Sequence, residues 1–182
     1  MAQETTETVP FSTRNDIEPE VREEVARALN QALADTTDLQ TQAKHAHWNV
    51  KGMQFRELHL LFDEQAELLA EQADILAERL TALGGTAHGT ARQAAANSQL
   101  GEFPPDTTEG SECVVALADR FAAHAANMRA WIDTTAAIGD ADTSDMFTEL
   151  SREIDKQLWF LEAHLQGTEM AAESDLMAPD EG

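Results

Sequence analysis

Basic residues are scarce in this chain of 182 residues. It contains 12 lysines and arginines against 34 aspartates and glutamates, which gives a formal net charge of −22. Phosphate contacts dominate the affinity of proteins for nucleic acids. A strongly acidic chain therefore repels DNA at low ionic strength, and at high ionic strength screening leaves no attraction between the two. The acid excess is typical of a surface adapted to concentrated salt, and it could also funnel cations towards the protein. We therefore expect no direct DNA binding.

Cysteine and long apolar stretches are also nearly absent. The single cysteine, Cys113, cannot form an internal disulfide, which favours a reducing compartment. No apolar run approaches the ~18 residues that a membrane span needs, and no charged-then-apolar signal sequence opens the chain. Hydrophobic residues make up 42% of the sequence, so we expect one well-buried domain in the cytoplasm and no contact with a membrane.

Helical periodicity is present in four long segments, and no strand pattern is present. Apolar residues recur every three or four positions at about residues 17–49, 55–83, 111–138 and 143–165. Thr90 could cap a short helix in the long connection after the second segment. Four long helices with one long crossover predict an all-α, ferritin-like four-helix bundle, with a short extra helix in the crossover between helices two and three.

Two tails are expected to flank this bundle. Residues 1–16 are polar and lack periodicity, which predicts a flexible N-terminal tail. Residues 167–182 predict an acidic C-terminal tail. The bundle itself is then expected to span residues 17–166.

The second predicted helix contains neither proline nor glycine from Phe55 to Leu83. Its apolar stripe is formed by Phe55, Leu58, Phe62, Ala66, Leu69, Ala73, Leu76, Leu80 and Leu83. At roughly 100° per residue, a second stripe lies beside the first and carries metal-ligating side chains. The members of this second stripe are His59, Asp63, Asp74 and Glu78.

The second stripe consists of two pairs of side chains. His59 and Asp63 lie one turn apart, as do Asp74 and Glu78, and either pair could hold one metal ion. The midpoints of the pairs are 15 residues apart, or roughly 22 Å along the axis, so one ion cannot touch both on a straight helix. If two copies cross antiparallel about a two-fold axis near Leu68–Leu69, each pair faces the other pair of the second copy. The spacing then predicts two equivalent sites shared between subunits.

The residues around these pairs resemble the Dps family of mini-ferritins. The likeness is carried by HWNV-x-G-x-x-F-x-x-LH-x-x-F-D-E, by D-x-x-AER-x-x-x-LGG, by HGTAR and by the fourth helix, over about residues 20–166. In that family the matching residues bind iron at a ferroxidase site between subunits. The resemblance implies that His47, His59 and Asp63 come from one subunit and that Asp74 and Glu78 come from its two-fold partner.

The resemblance also implies an activity. Fe(II) would be oxidised at the shared sites, preferably by hydrogen peroxide, and stored as ferric oxyhydroxide in a hollow homo-dodecamer built from two-fold dimers. Such a ferroxidase would protect against oxidative damage. Nitrogen and oxygen ligands without a thiolate suit Fe(II), and Zn(II) or Mn(II) could compete for them.

Three further side chains, two near the motif and one in the last predicted helix, have open interpretations. His45 is two residues from His47 and is its rival as a ligand, although the Trp-Asn pair after His47 favours the latter. Trp48 could take up oxidising equivalents or could simply pack. Trp159, in the apolar segment LWFLEAHL, is expected to lie in the core.

Acidic side chains elsewhere on the helices are also open to two interpretations. Glu67 and Glu71 share the ligand face of the second helix and could nucleate mineral, or they could be ordinary solvated residues. Acids near the start of the fourth helix line three-fold pores in family members, so Asp145 and Glu149 could form an iron access path. Together with Asp140, they could instead provide helix N-terminal charge and capping.

Three other functions compete with iron oxidation by a Dps-like site. A conventional di-iron enzyme needs Glu-x-x-His within the bundle, and no glutamate lies three residues before any of the six histidines, which excludes ferritin or bacterioferritin chemistry. A non-catalytic DNA-condensing protein is disfavoured because Arg14 is the single basic residue of the N-terminal tail. The third alternative is a scaffold without catalysis. Iron titration distinguishes it from a ferroxidase, because only a catalyst consumes peroxide as Fe(II) is oxidised.

Overall fold

Five α-helices form the described part of the chain. The computed structural model describes the backbone of residues 9–176 and the side chains of residues 9–166. The helices are α1 (Pro19–Asn49), α2 (Phe55–Ala82), α3 (Ala91–Asn97), α4 (Gly110–Ile138) and α5 (Ala141–Leu176). Within these residues there is no strand, only one isolated bridge between Lys51 and Glu109. The predicted all-α bundle with a short extra helix in the crossover is confirmed. None of the described helices is long and apolar enough to span a bilayer.

Local sequence signals set the helix ends. Pro19 stands in the first turn of α1, where an N–H would have no helical partner. Thr90 and Gln93 form a capping box before α3, in which the Thr90 N–H donates to Gln93 Oε1 at 3.2 Å. Gly139 ends α4 with φ 99°, a left-handed conformation that favours glycine. These signals are local, which is why the sequence predicts these three helix ends closely.

The predicted tails lie partly outside the described residues, since the backbone of residues 1–8 and 177–182 is not described. Within the described part, the Phe11 N–H donates to the Gly84 carbonyl at 3.1 Å, and Val9 packs against the apolar core. The α5 backbone stays helical as far as Leu176, beyond Gly167 where the acidic tail was expected to begin. The tail boundaries at residues 16 and 167 therefore stay predictions.

The four long helices pack in two antiparallel pairs. α1 lies along α2 and α4 lies along α5, while α3 packs on α1. Gln65 and Gln72 of α2 reach the backbone carbonyls of Gln157 and Leu150 on α5, each at 3.4 Å. The earlier residue of α2 contacts the later residue of α5, so these two helices are also antiparallel.

The apolar core consists of two clusters with buried polar side chains between them. Phe62 and Phe121 belong to one cluster, and Leu76 and Phe147 belong to the other. Gln72 lies between the α2 members of the two clusters and is itself buried. A polar layer in an otherwise apolar bundle requires its hydrogen bonds to be satisfied internally.

His124 is a titratable member of this buried layer. The Thr36 hydroxyl donates to the Ala32 carbonyl at 2.7 Å, so its oxygen is left to accept from His124 Nε2, which lies 3.3 Å away. His124 Nδ1 has no hydrogen-bond partner among the described side chains and backbone. Burial lowers the pKa of His124 to about 4, because the protonated ring would be desolvated.

Two aromatic side chains that the sequence predicts to be buried are exposed. Trp159 is 58% exposed and contacts the Phe160 ring at 5.2 Å. It is adjacent to Leu158 and therefore points roughly 100° away from the apolar stripe of α5. Phe55 is the first residue of α2 and is 45% exposed. Its ring stacks on the His59 ring, with 5.1 Å between the ring centroids. The prediction that these two side chains lie in the core is therefore wrong for the single chain.

The buried histidine makes stability depend on pH. His124 is neutral in the folded state down to about pH 4, whereas in the unfolded chain it takes up a proton below about pH 6.5. Stability is therefore present in full above pH 6.5 and falls as the pH decreases towards 4, by up to about 3 kcal/mol from this group. We expect His124→Leu to flatten the change in Tm over that window at constant protein concentration.

The exposed His88 provides the matched control. His88→Leu removes a histidine of the crossover that is exposed to solvent, and we expect its Tm to follow the wild-type pH dependence. An unchanged slope in the His124→Leu protein would contradict the assignment of the acid sensitivity to the buried ring.

Candidate metal centre

His47 and His59 are brought together where α1 ends and α2 begins. His47 Nδ1 donates to the His59 carbonyl at 2.7 Å, and His59 Nδ1 donates to the His47 carbonyl at 2.8 Å. The two rings stack with their centroids 3.8 Å apart and 18° between their planes. The chain reverses between the helices at Gly52, whose φ of 110° is accessible to glycine.

The reciprocal hydrogen bonds fix the tautomer of both rings. A backbone carbonyl can only accept, so the proton of each neutral ring must lie on Nδ1. The lone pair of each ring is then on Nε2, which is the arrangement that a metal ligand needs. In their neutral form, His47 and His59 are therefore oriented as a pair of nitrogen donors before any metal arrives.

Asp63 lies beside the histidines and is ionised. Its Oδ1 lies 3.9 Å from His47 Nδ1, and it also accepts a hydrogen bond from Lys44 Nζ. That hydrogen bond lowers the pKa of Asp63, and attraction to His47 adds to the effect. Lys44 was missed by the sequence analysis. Its position three residues before His47, on the same face of α1, was the available signal.

Asp74 and Glu78 are exposed at the other end of α2. Asp74 lines an open groove of about 570 Å³ whose other walls include Leu33, Ala70 and Ala77. Nowhere in the described residues do three or more histidine, cysteine, aspartate or glutamate side chains come close enough to hold a metal ion. Within the single chain, His47 and His59 lie next to each other and Asp63 lies beside His47, whereas Asp74 and Glu78 lie apart from them at the other end of α2.

An ion pair anchors the end of α2 that carries Glu78. Arg79 Nη2 donates to both carboxylate oxygens of the buried Asp140, at 2.9 and 3.0 Å, and Arg79 Nε donates to Thr143 Oγ1 at 2.9 Å. Asp140 also accepts from the Thr143 N–H at 3.0 Å, which confirms its predicted role as the N-terminal cap of α5. Arg79 was another omission of the sequence analysis, and it ties the backbone beside Glu78 to the start of α5.

The two side chains flanking His47 differ in their surroundings. His45 faces the crossover, where its ring meets Phe103 at 5.4 Å in an edge contact, so it is not part of the histidine pair. His47 is therefore the better placed of the two rivals. Trp48 is 69% exposed and does not pack into the core of the chain.

The remaining predicted acids all lie on the surface. Glu67 and Glu71 are exposed on α2, and Asp145 and Glu149 are exposed on the first turns of α5. None of the four joins the histidine group within the chain. Their roles in nucleation or iron access stay predictions.

Comparison with known proteins identifies close relatives. The family model described as a ferritin-like domain matches residues 26–171. The DNA protection during starvation protein of Agrobacterium fabrum is 40% identical over 154 residues, which cover 85% of this chain and 95% of that protein. The archaeal Dps homologue of Halobacterium salinarum superimposes with a TM-score of 0.82 at 30% identity, covering 90% of this chain and 91% of the other.

A third comparison concerns the chemistry of the superfamily. The Dps protein of Vibrio cholerae, described as a member of a broad superfamily of ferritin-like diiron-carboxylate proteins, has a TM-score of 0.76 at 29% identity. The alignment covers 80% of this chain and 91% of that structure. The range matched by the family model, residues 26–171, includes both ends of α2.

If Asp63 is a metal ligand as predicted, its ion pair with Lys44 would compete with the metal for the same carboxylate. Lys44→Met keeps most of the aliphatic stem and removes the ammonium group, so a divalent ion would no longer have to displace it. We expect the dissociation constant for Co(II), followed anaerobically by visible absorbance, to fall about threefold to tenfold. Lys156→Met removes the same charge from α5, where the ammonium lies 5.6 Å from the Phe160 ring. Equal affinities in the two variants would rule out this competition.

Proposed function

The chain belongs to the Dps family of ferritin-like proteins, and we propose that it oxidises Fe(II) at sites shared between two-fold-related copies. Hydrogen peroxide is the preferred oxidant in this proposal, and the ferric product is stored as oxyhydroxide inside a hollow homo-dodecamer. The protein thereby removes two reactants that together damage macromolecules. A reducing cytoplasm suits it, because the single thiol, Cys113, is buried and burial raises its pKa to about 11.

The division of the ligand set between the two ends of α2 carries this proposal. His47 and His59 are held with free Nε2 lone pairs beside the ionised Asp63. Asp74 and Glu78 are exposed roughly 22 Å away along the same helix. Each end has an incomplete set of donors, so a second copy must complete it.

The register of α2 supports an antiparallel pairing of two copies. Around an axis between Leu68 and Leu69, His59 falls opposite Glu78 and Asp63 falls opposite Asp74. Leu60 and Ile75 lie on either side of this axis and are 46% and 42% exposed in the single chain. Exposed leucine and isoleucine on a helix face are what an interface between copies would bury.

The proposed ligands suit the oxidation of Fe(II). Carboxylates are hard oxygen donors and stabilise Fe(III) more than Fe(II), while the two imidazoles keep the site neutral enough to bind the reduced ion. Each hydrogen peroxide takes two electrons and so oxidises two Fe(II) ions. With two waters the products are two FeO(OH) units and four protons, which balances charge and releases no hydroxyl radical.

Other acids extend this proposal from the site to the shell. The net charge of −22 on each chain attracts Fe(II) from solution. Asp145 and Glu149 would line the access path at three-fold pores, and Glu67 and Glu71 would bind ferric product at the inner surface. Trp48, exposed next to His47, would take up oxidising equivalents that escape the site or would pack against the second copy.

Anaerobic Fe(II) loading followed by peroxide tests the proposed centre. We expect the variant His59→Ala plus Asp63→Ala to oxidise Fe(II) about tenfold more slowly than the wild type, or slower still, because one half of every site is removed. The wild type should consume about one peroxide per two Fe(II) ions, as the electron balance requires.

His88→Ala plus Asp106→Ala is the matched control, since it removes the same two residue types from exposed positions of the crossover. Its rate should equal that of the wild type. If the two double variants oxidise Fe(II) equally fast, the proposed centre is excluded.

DNA condensation without catalysis is the second candidate, and the name of the Agrobacterium fabrum relative, a DNA protection protein, favours it. The strong negative charge opposes direct contact with DNA phosphates. We expect no retardation of DNA in a gel shift at low ionic strength. Retardation there would favour this second function.

A further inference from the structure

The two ends of α2 differ in charge. The end that follows α1 gathers three of the twelve basic residues of the chain, namely Lys44, Lys51 and Arg56. The opposite end carries exposed acids, namely Glu71, Asp74 and Glu78. An antiparallel pairing of two copies brings the basic end of one against the acidic end of the other. This charge complementarity supports a second copy of the chain as the partner of this face.

Arg56 is the base at this end that has no partner. Lys44 pairs with Asp63, and Lys51 Nζ donates to the Asn49 carbonyl at 3.3 Å. The exposed Arg56 forms no ion pair and no side-chain hydrogen bond within the described part of the chain. No carboxylate lies three or four residues from it in either direction, where a helical ion pair would form. The charge of Arg56 is therefore available to a group outside its own chain.

Arg56 lies on the same stripe of α2 as the candidate ligands. Arg56 and Asp74 are 18 residues apart, which is about five turns, so they lie on one line along the helix. In the proposed register, Thr81 of the second copy falls opposite Arg56. Glu78 is three residues from Thr81, or roughly 4.5 Å along the axis, and side chains at this spacing are neighbours on a helix surface. The guanidinium group can therefore reach the Glu78 carboxylate of the second copy.

The proposed shared site needs such a positive charge. Each site collects three carboxylates, Asp63 from one copy and Asp74 and Glu78 from the other. Carboxylates brought this close repel one another. Lys44 offsets the charge of Asp63, which leaves the two carboxylates of the second copy without a counter-charge until a metal binds.

We propose that Arg56 pairs with Glu78 of the second copy and stabilises the dimer before metal binds. This inference rests on the proposed function, because it uses the same shared site and the same register. One oxygen of Glu78 accepts from the guanidinium group, and the other stays available to a metal. Arg56 is then a positioning residue, and it comes from the copy that also supplies His59 and Asp63.

Sedimentation of the metal-free protein tests this pair. In chelator and about 0.15 M salt, we expect Arg56→Gln to raise the protein concentration at which half of the chains are assembled. The increase should be about threefold to tenfold. Arg56→Glu should weaken assembly further, and adding Glu78→Arg to it should restore assembly, because the pair then exists with its charges exchanged. At about 1 M salt the difference between Arg56→Gln and the wild type should disappear, because the Debye length falls to about 3 Å.

Arg152→Gln is the matched control, since it removes the same charge from an exposed position of α5. Its assembly should equal that of the wild type. Equal assembly of Arg56→Gln and Arg152→Gln, or no rescue by the exchanged pair, would overturn this pair and leave the iron site to its own test. A wild type that stays monomeric would overturn the shared site as well. If the exchanged pair fails to fold, Arg56→Lys decides, because it keeps the charge and should assemble more readily than Arg56→Gln.

Discussion

The unbroken course of α2 is the constraint on which the rest of the molecule depends. A continuous helix from Phe55 to Ala82 holds its two candidate ligand pairs roughly 22 Å apart, and no side chain is long enough to close that gap. The remainder of the chain fixes the two ends of this helix. The reciprocal hydrogen bonds between His47 and His59 fix the first, and the ion pair between Arg79 and Asp140 fixes the second. In the proposed dimer, these two anchored ends face each other.

The few basic side chains pair with acidic residues in two different ways. Two of the twelve bases are used at the ends of α2, where Lys44 pairs with Asp63 and Arg79 pairs with Asp140. In the pair with the buried Asp140, Arg79 Nη2 donates to both carboxylate oxygens, so this pair supports the fold. The pair with Asp63 is partly exposed, so an arriving cation can replace the lysine. The pair with the buried Asp140 is thus structural, and the pair with the candidate ligand Asp63 is replaceable.

Much of the fold could be predicted from the sequence because its signals are local. The apolar period of α2, the capping box at Thr90 and the glycine at residue 139 each act within a few residues. The candidate site was predicted through the spacing of His59, Asp63, Asp74 and Glu78, which a straight helix converts directly into distance. Contacts between helices were less accessible. The pairing of Lys44 with Asp63, the burial of His124 against Thr36 and the exposure of Trp159 all depend on how two helices meet, which periodicity does not specify.

The central claim is that half of each oxidising site belongs to a second copy of the chain, and co-assembly of two defective variants tests it most directly. His59→Ala plus Asp63→Ala destroys one half of the site, and Asp74→Ala plus Glu78→Ala destroys the other. Dissociated, mixed in equal amounts and reassembled, the two proteins should form mixed dimers in which one site of two is intact. The account predicts recovery of about a quarter of the wild-type oxidation rate, while each variant reassembled alone stays inactive. No recovery in the mixture, with assembly verified, would contradict the shared site.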